Sequence, residues 1–191
     1  MYAIHTTPGF IIESRPKGEA GKLLYIFTRE LGLIMASAQG IRLEKSKLRY
    51  HAQEFSLGEF SFVRGKEFWR MTNAQKAENS ISEIIPRIAL ILRRLLHGEE
   101  AHQELFDHVQ ESFSFIEESK GSTVLTEEHL KTLESLIVFR IVHLLGYVGN
   151  DKEVEQDMVT GPLSIKLLDS AMGQRTALNK HINKALRESQ L

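Results

Sequence analysis

The sequence predicts a two-domain α+β protein, a small five-stranded β-barrel over residues 1–77 followed by an all-α domain over residues 78–191. Up to Asn73 the apolar residues are largely β-branched and aromatic, alternate in short runs, and are punctuated by Gly and Pro. From Ser80 the spacing changes to the 3.6-residue period of helices with one apolar face. Charge divides with the pattern, since residues 1–76 hold 12 Lys and Arg against 7 Asp and Glu, whereas residues 77–191 hold 12 against 18. Such an asymmetry suits a basic part that meets nucleic acid and an acidic part for packing, solubility or a protein partner.

The strands follow in order. Tyr2 to Ser14 and Lys22 to Thr28 are separated by Arg15-Pro16-Lys17-Gly18, whose Pro and Gly are turn residues. Leu33 to Gly40 follows the break at Gly32. Phe55 to Val63 has an alternation interrupted at Gly58, the mark of a bulge, and Lys66 to Thr72 sets Glu67, Trp69 and Met71 opposite Lys66, Phe68 and Arg70. Between the third and fourth strands lies Ala38 to His51, where Ser46 is placed to cap one helical turn. Five short strands with a helical insertion after the third are the layout of an OB-fold, a barrel that often binds single-stranded nucleic acid or oligosaccharides.

In the second half, Ser80-x-x-Glu83 fits a capping box and opens a helix whose apolar face runs Ile84, Ile85, Ile88, Ile91, Leu92, Leu95, Leu96 and ends before Gly98. A second helix is expected over Glu99 to Glu118, with Ala101, Leu105, Val109, Phe113 and Ile116 inward. After the Lys120-Gly121-Ser122 loop, a third follows Thr126, with Leu130, Leu133, Ile137, Ile141 and Leu144 inward, and stops at Gly146. Gly149 to Gly161 reads as a polar, acidic loop, and Leu163 to Met172 and Gln174 to Leu191 as two last helices.

Composition excludes several chemistries. With no cysteine among 191 residues, disulfides, thiolate catalysis and thiolate metal sites are ruled out. The longest apolar run is too short to span a bilayer and the N-terminus lacks a signal-like core, so a cytoplasmic location without membrane partners is expected. Gly18 to Lys22 resembles part of a phosphate loop, but Leu23 stands where a hydroxyl is needed and Pro16 where the leading Gly belongs. Glu99-x-x-His102 has the spacing of two-metal bundles without the required second copy, and His97, His102 and His108 read as helix-surface residues. No catalytic residue, metal or cofactor is expected. An unrecognised metal-dependent hydrolase trails as a reading because no ligand set assembles.

The densest feature is cationic. Arg42, Lys45, Lys47 and Arg49 fall within eight residues on a loop after an apolar strand, so long flexible cations hang from a rigid scaffold and can follow phosphates. Arg15 and Lys17 in the first loop, and Lys66 and Arg70 on the fifth strand, extend the groove. Tyr50, beside the cationic run, is the candidate for stacking on a base, while Phe60, Phe62 and Trp69 read as barrel fillers. Lys180, Lys184 and Arg187 form a second basic side, on the last helix.

The runs Thr7-Pro8-Gly9-Phe10-Ile11-Ile12, Arg15-Pro16, Gly18-Glu19-Ala20 and Leu23-Leu24-Tyr25-Ile26-Phe27-Thr28 resemble the bacterial RecO recombination-mediator family. So do Ala38-Gln39-Gly40-Ile41-Arg42, Ser46-Lys47-Leu48-Arg49, Arg64-Gly65-Lys66-Glu67, Trp69-Arg70 and His143-Leu144-Leu145-Gly146-Tyr147. The resemblance implies an OB-fold joined to a helical domain, binding of single- and double-stranded DNA, annealing of complementary strands, and action with RecR to help RecA replace single-strand-binding protein. Many members carry a four-cysteine zinc site after the leucine-glycine-tyrosine motif. Here that region is the cysteine-free segment Gly149 to Gly161, so the resemblance is to a short variant without zinc. The alternative reading is an adaptor whose OB-fold and acidic helices bind proteins, with DNA incidental.

Overall fold

The barrel is built on β1 (Ile4–Lys17), a strand of 14 residues long enough to pair antiparallel with β2 (Gly21–Thr28) along its second half and with β4 (Ser56–Arg64) along its first. In the computed structural model, which describes residues 3–79, 82–119, 125–148 and 154–189, β2 also pairs with β3 (Gly32–Ala38), and β4 with β5 (Trp69–Asn79). A short parallel pairing of β3 and β5, Ala36 with Trp69 and Ser37 with Arg70, closes the ring in the order β1-β2-β3-β5-β4. This is the OB-fold layout expected from five strands with a helical insertion after the third, with its helical turn α1 (Leu48–His51) between β3 and β4. Ile11, Leu24, Ile26, Ile34, Phe60, Phe62, Trp69 and Met71 fill it, so Phe60, Phe62 and Trp69 are fillers as expected. The register with β5 shifts between Leu57 and Glu59, but the extra residue lies on β5, between Gln75 and Glu78, so the bulge expected at Gly58 falls on the strand opposite it.

Three further details of the barrel differ from the expectation. Arg15, Pro16 and Lys17 lie on β1, because pairing with Leu23, Lys22 and Gly21 carries the strand past the proline and leaves residues 18–20 as the turn. Lys66 lies in the β4–β5 turn, since β5 begins only at Trp69. Ser46 does not cap α1; the cap is Lys47, in helical conformation and with no side-chain hydrogen bond.

The chain divides into two compact units, Met1–Ile81 with Leu96–Phe106 and Ser82–Leu95 with Asp107–Leu191. A single cut after residue 77 does not describe this return of the chain to the barrel. Residues 96–106 are held there by Leu33 N–H donating to Gly98 O at 3.0 Å and by Phe27 packing edge-on to Phe106. Gly32, at φ +69°, permits the approach, because a Cβ there would collide with the Glu100 backbone.

The helical unit contains α2 (Ile84–Leu95), the greater part of α3 (Gln103–Glu118), α4 (Glu127–Leu144), α5 (Gln156–Thr160) and α6 (Ile165–Glu188). Ser80 and the Lys120-Gly121-Ser122 loop lie outside the described residues, as do Asp151 and Glu153. The second helix starts at Gln103, leaving Glu99 and Ala101 outside it. Thr126 caps α4 in a reciprocal box with His129, and at the other end Tyr147 N–H reaches back to Val142 O around Gly146 at φ +79°. The His143-to-Tyr147 motif is therefore a helix stop. Leu130 and Leu144, expected inward, are partly exposed, whereas Leu133, Ile137 and Ile141 are fully buried.

The expected loop Gly149 to Gly161 contains the helical turn α5, and its organiser is Arg140. This buried guanidinium donates to Met158 O at 2.7 Å, Asp157 O at 3.2 Å and Gly161 O at 2.5 Å. The two expected last helices are one, running straight through Gly173. A helical glycine costs about 1 kcal/mol relative to alanine, and burial of Leu167, Leu168, Ala171, Leu178, Ile182 and Ala185 outweighs it.

Candidate nucleic-acid interface

The cationic stretch is a string of turns nailed down by its apolar residues. Arg42 N–H bonds Ala20 O, Leu43 N–H bonds Gly40 O, Ser46 N–H bonds Leu43 O and Arg49 N–H bonds Ser46 O, each at 3.0–3.2 Å. Ile41 and Ala52 are buried in the barrel core and Leu48 packs against it. At its far end Phe55, at φ +65°, donates to Ile11 O at 2.8 Å. With backbone and apolar side chains fixed, Arg42, Lys45, Lys47 and Arg49 all point to solvent. Among the described residues none of the four makes an ion pair, so each retains its charge for an external anion. Tyr50 stands among them 70% exposed, its ring open to a stacking partner.

The other predicted cations divide into engaged and available. Arg15 donates to Glu13 at 2.6 Å and lies 5.2 Å from the Tyr25 ring centroid; the Glu13 bond holds its guanidinium above its ordinary range. Lys17 sits 3.9 Å over the Phe68 ring, which brings the β1–β2 end and the β4–β5 turn together. Those two connections flank the surface that OB-folds commonly offer to oligonucleotides. Lys66 and Arg70 are exposed, carry no ion pair with any described residue, and line a depression of about 320 Å³ with Val63, Arg64 and Gly65. Arg70 is paired in register with Ser37, one residue before β3 ends and the chain enters the cationic stretch.

Sequence reasoning missed Tyr25, Phe68, Arg64 and Glu99. Tyr25 and Phe68 each hold a cation against the ring, so they position Arg15 and Lys17; their strand alternation alone did not separate them from core. Arg64 Nη1 donates to both Glu99 carboxylate oxygens at 2.6 Å, and the guanidinium lies 4.9 Å from the Trp69 centroid. Reading Glu99 as the start of a helix hid this contact.

Residues 1–79 match the family described as Recombination protein O N terminal. Across its length the chain is similar to proteins named DNA repair protein RecO. With that of Gloeothece citriformis it shares 26% identity over 179 residues, 89% of this chain and 60% of the relative. Its first 79 residues resemble the RecO N-terminal domain, and the likeness to RecO proteins continues into the helical half. The RecO protein of Alkaliphilus metalliredigens is 26% identical over 138 residues, 67% of this chain and 56% of its own. That of Acaryochloris marina is 35% identical over 79 residues, 41% of this chain and 27% of the relative. The chain thus spans about three fifths of the length of the RecO proteins of Gloeothece citriformis and Trichodesmium erythraeum. No described helix is long and apolar enough to cross a membrane, and no group of three or more potential metal ligands occurs among the described residues.

Proposed function

We propose that this chain is a RecO-family recombination mediator in DNA repair that binds and anneals single-stranded DNA, and with RecR assists RecA loading on DNA coated by single-strand-binding protein. The observation that carries it is the set of exposed cations Arg42, Lys45, Lys47 and Arg49, without an ion pair among the described residues, around the open ring of Tyr50. Phosphates neutralise the cations and release counterions, while the tyrosine takes a base of an unpaired strand. A duplex offers the same phosphates but no free base face, so it is held less well. Arg15, Lys17, Lys66 and Arg70 continue the path toward the β4–β5 turn. The mechanism is electrostatic, involves no covalent step, zinc or other cofactor, and operates in the cytoplasm.

The test is a titration of labelled single-stranded DNA at several salt concentrations, comparing wild type with the combined Lys45→Glu, Lys47→Glu, Arg49→Glu variant. The variant is expected to bind at least ~10-fold more weakly at low salt, its logarithmic salt slope shallower by about 2, at about 0.7 per lost phosphate contact. Equal binding with an equal slope removes the loop from the interface. If wild type binds no DNA, the OB-fold is an adaptor for proteins.

A further inference from the structure

The depression at the β4–β5 turn is lined by three cations, and only one of them is paired with a described residue. Arg64, Lys66 and Arg70 line it with Val63 and Gly65. Lys66 and Arg70 make no ion pair with any described residue, whereas both oxygens of Glu99 sit 2.6 Å from Arg64 Nη1. Glu99 also accepts from Trp69 Nε1 at 3.1 Å, beneath the Arg64 guanidinium. A carboxylate with two oxygens on a guanidinium is the side-chain counterpart of a phosphate with two oxygens on the same group. Both side chains are about half exposed, so the pair is weak enough to exchange for an external anion.

We propose that this depression is a phosphate seat for a DNA strand and that Glu99 is its internal occupant, holding Arg64 until a strand phosphate replaces the carboxylate. The proposal rests on the DNA-binding reading above and adds a residue, Arg64, and a gate, Glu99. In the closed state the turn presents Lys66 and Arg70 alone. When a phosphate arrives between them, it competes with Glu99 for Arg64. Displacement frees the carboxylate and removes the acceptor from the indole N–H. Because Arg64 is already neutralised, exchange adds no net phosphate neutralisation in the wild type, so the contact is invisible in its salt slope. Removing the Glu99 charge makes it visible.

Trp69 is the only tryptophan in the chain, so its fluorescence reports this contact directly. The experiment titrates the full chain with a short oligothymidylate and, separately, with inorganic phosphate, following Trp69 emission and binding by anisotropy across a salt series. The variants are Glu99→Gln, which keeps an acceptor for the indole, Glu67→Gln as an equal change of charge at an exposed carboxylate of the same turn, and Arg64→Gln combined with Glu99→Gln. Oligothymidylate is expected to change the emission of wild type at concentrations where inorganic phosphate does not. Glu99→Gln should bind about two- to five-fold more tightly, the range set by an exposed ion pair, with a slope steeper by about 0.7. The double variant should lose that gain, and Glu67→Gln should not steepen the slope. If Glu99→Gln binds like wild type while wild type still binds DNA, the seat is wrong and the DNA reading stands. A gain equalled by Glu67→Gln reduces the effect to net charge and overturns the gate. An emission change produced equally by inorganic phosphate overturns the assignment to a strand. Absence of DNA binding by every form overturns both readings.

Discussion

In the barrel, Arg42, Lys45, Lys47, Arg49, Lys66 and Arg70 are exposed and make no ion pair with any described residue. In the helical unit, Arg87 contacts Glu83 and Glu134, Lys131 contacts Glu127 and Glu128, Arg175 contacts Glu128, and Lys184 lies 3.9 Å from Glu188. Arg140 is buried among backbone carbonyls. Among the described residues of that unit, only Lys166 and Arg187 match the barrel's pattern of an exposed cation with neither an ion pair nor another described partner. Residues 1–76 and 77–191 each hold 12 Lys and Arg, so their number does not distinguish them. What differs is the carboxylates beside them. A polyanion meets free charge on the barrel, whereas on the helices it must first displace carboxylates, a small cost for each pair that accumulates over several contacts.

If the helical cations are structural, removing one should cost stability rather than affinity, and most at Arg140. Burial lowers the pKa of its guanidinium while Glu111 opposes the shift, so the charge is kept for its three carbonyl bonds. Arg140→Leu should lower unfolding free energy by about 3 kcal/mol, because three charge-assisted bonds are lost and their acceptors stay buried. Urea denaturation measures it. An unchanged midpoint would mean that residues 157–161 hold their shape without the clamp.

A smaller effect is expected beside it. His108, anticipated on a helix surface, is buried and pushed down to about 4, first by burial and then by the Arg140 charge; Glu111 lies 3.9 Å away. The folded state keeps it neutral while the unfolded chain takes up a proton below the ordinary value of 6.5. Its contribution is therefore flat above 6.5 and is lost as pH falls toward 4, at up to about 1.4 kcal/mol per pH unit. His108→Leu should flatten that part of the pH–stability curve relative to wild type. Parallel curves would show that His108 protonates in the folded state. Smallest of all, Lys45→Gln and Lys47→Gln should each move stability by less than about 0.5 kcal/mol, as exposed side chains without partners do. A larger loss would mean that these cations hold the loop together.

The barrel was legible because burial imposes period 2 on its strands, and the filler roles of Phe60, Phe62 and Trp69 follow from that period, whereas the bulge expected at Gly58 lies on β5 opposite it. The cationic stretch was legible because no buried element tolerates Arg42, Lys45, Lys47 and Arg49 so close together. What escaped depends on contacts distant in sequence. Glu99 looks like a helix residue until residues 96–106 are seen on the barrel, and His108 looks like surface until α3 is packed. Gly173 looks like a break because the burial that overrides its propensity is not local. Arg140, one charge on an otherwise apolar helix face, gives no sign that the partners of its guanidinium are carbonyls 17 to 21 residues on.

The central claim is that the charge available to DNA lies on the barrel, and matched charge reversal tests it most directly. The affinity and salt slope for single-stranded DNA would be measured for Lys45→Glu with Lys47→Glu and for Lys166→Glu with Arg187→Glu. Each pair changes net charge equally at exposed positions that make no ion pair with any described residue. The barrel pair should weaken binding and make the slope shallower by about 1.4, two contacts at about 0.7 each, while the helical pair leaves the slope unchanged. An equal or larger loss from the helical pair would contradict the account and move the DNA to α6.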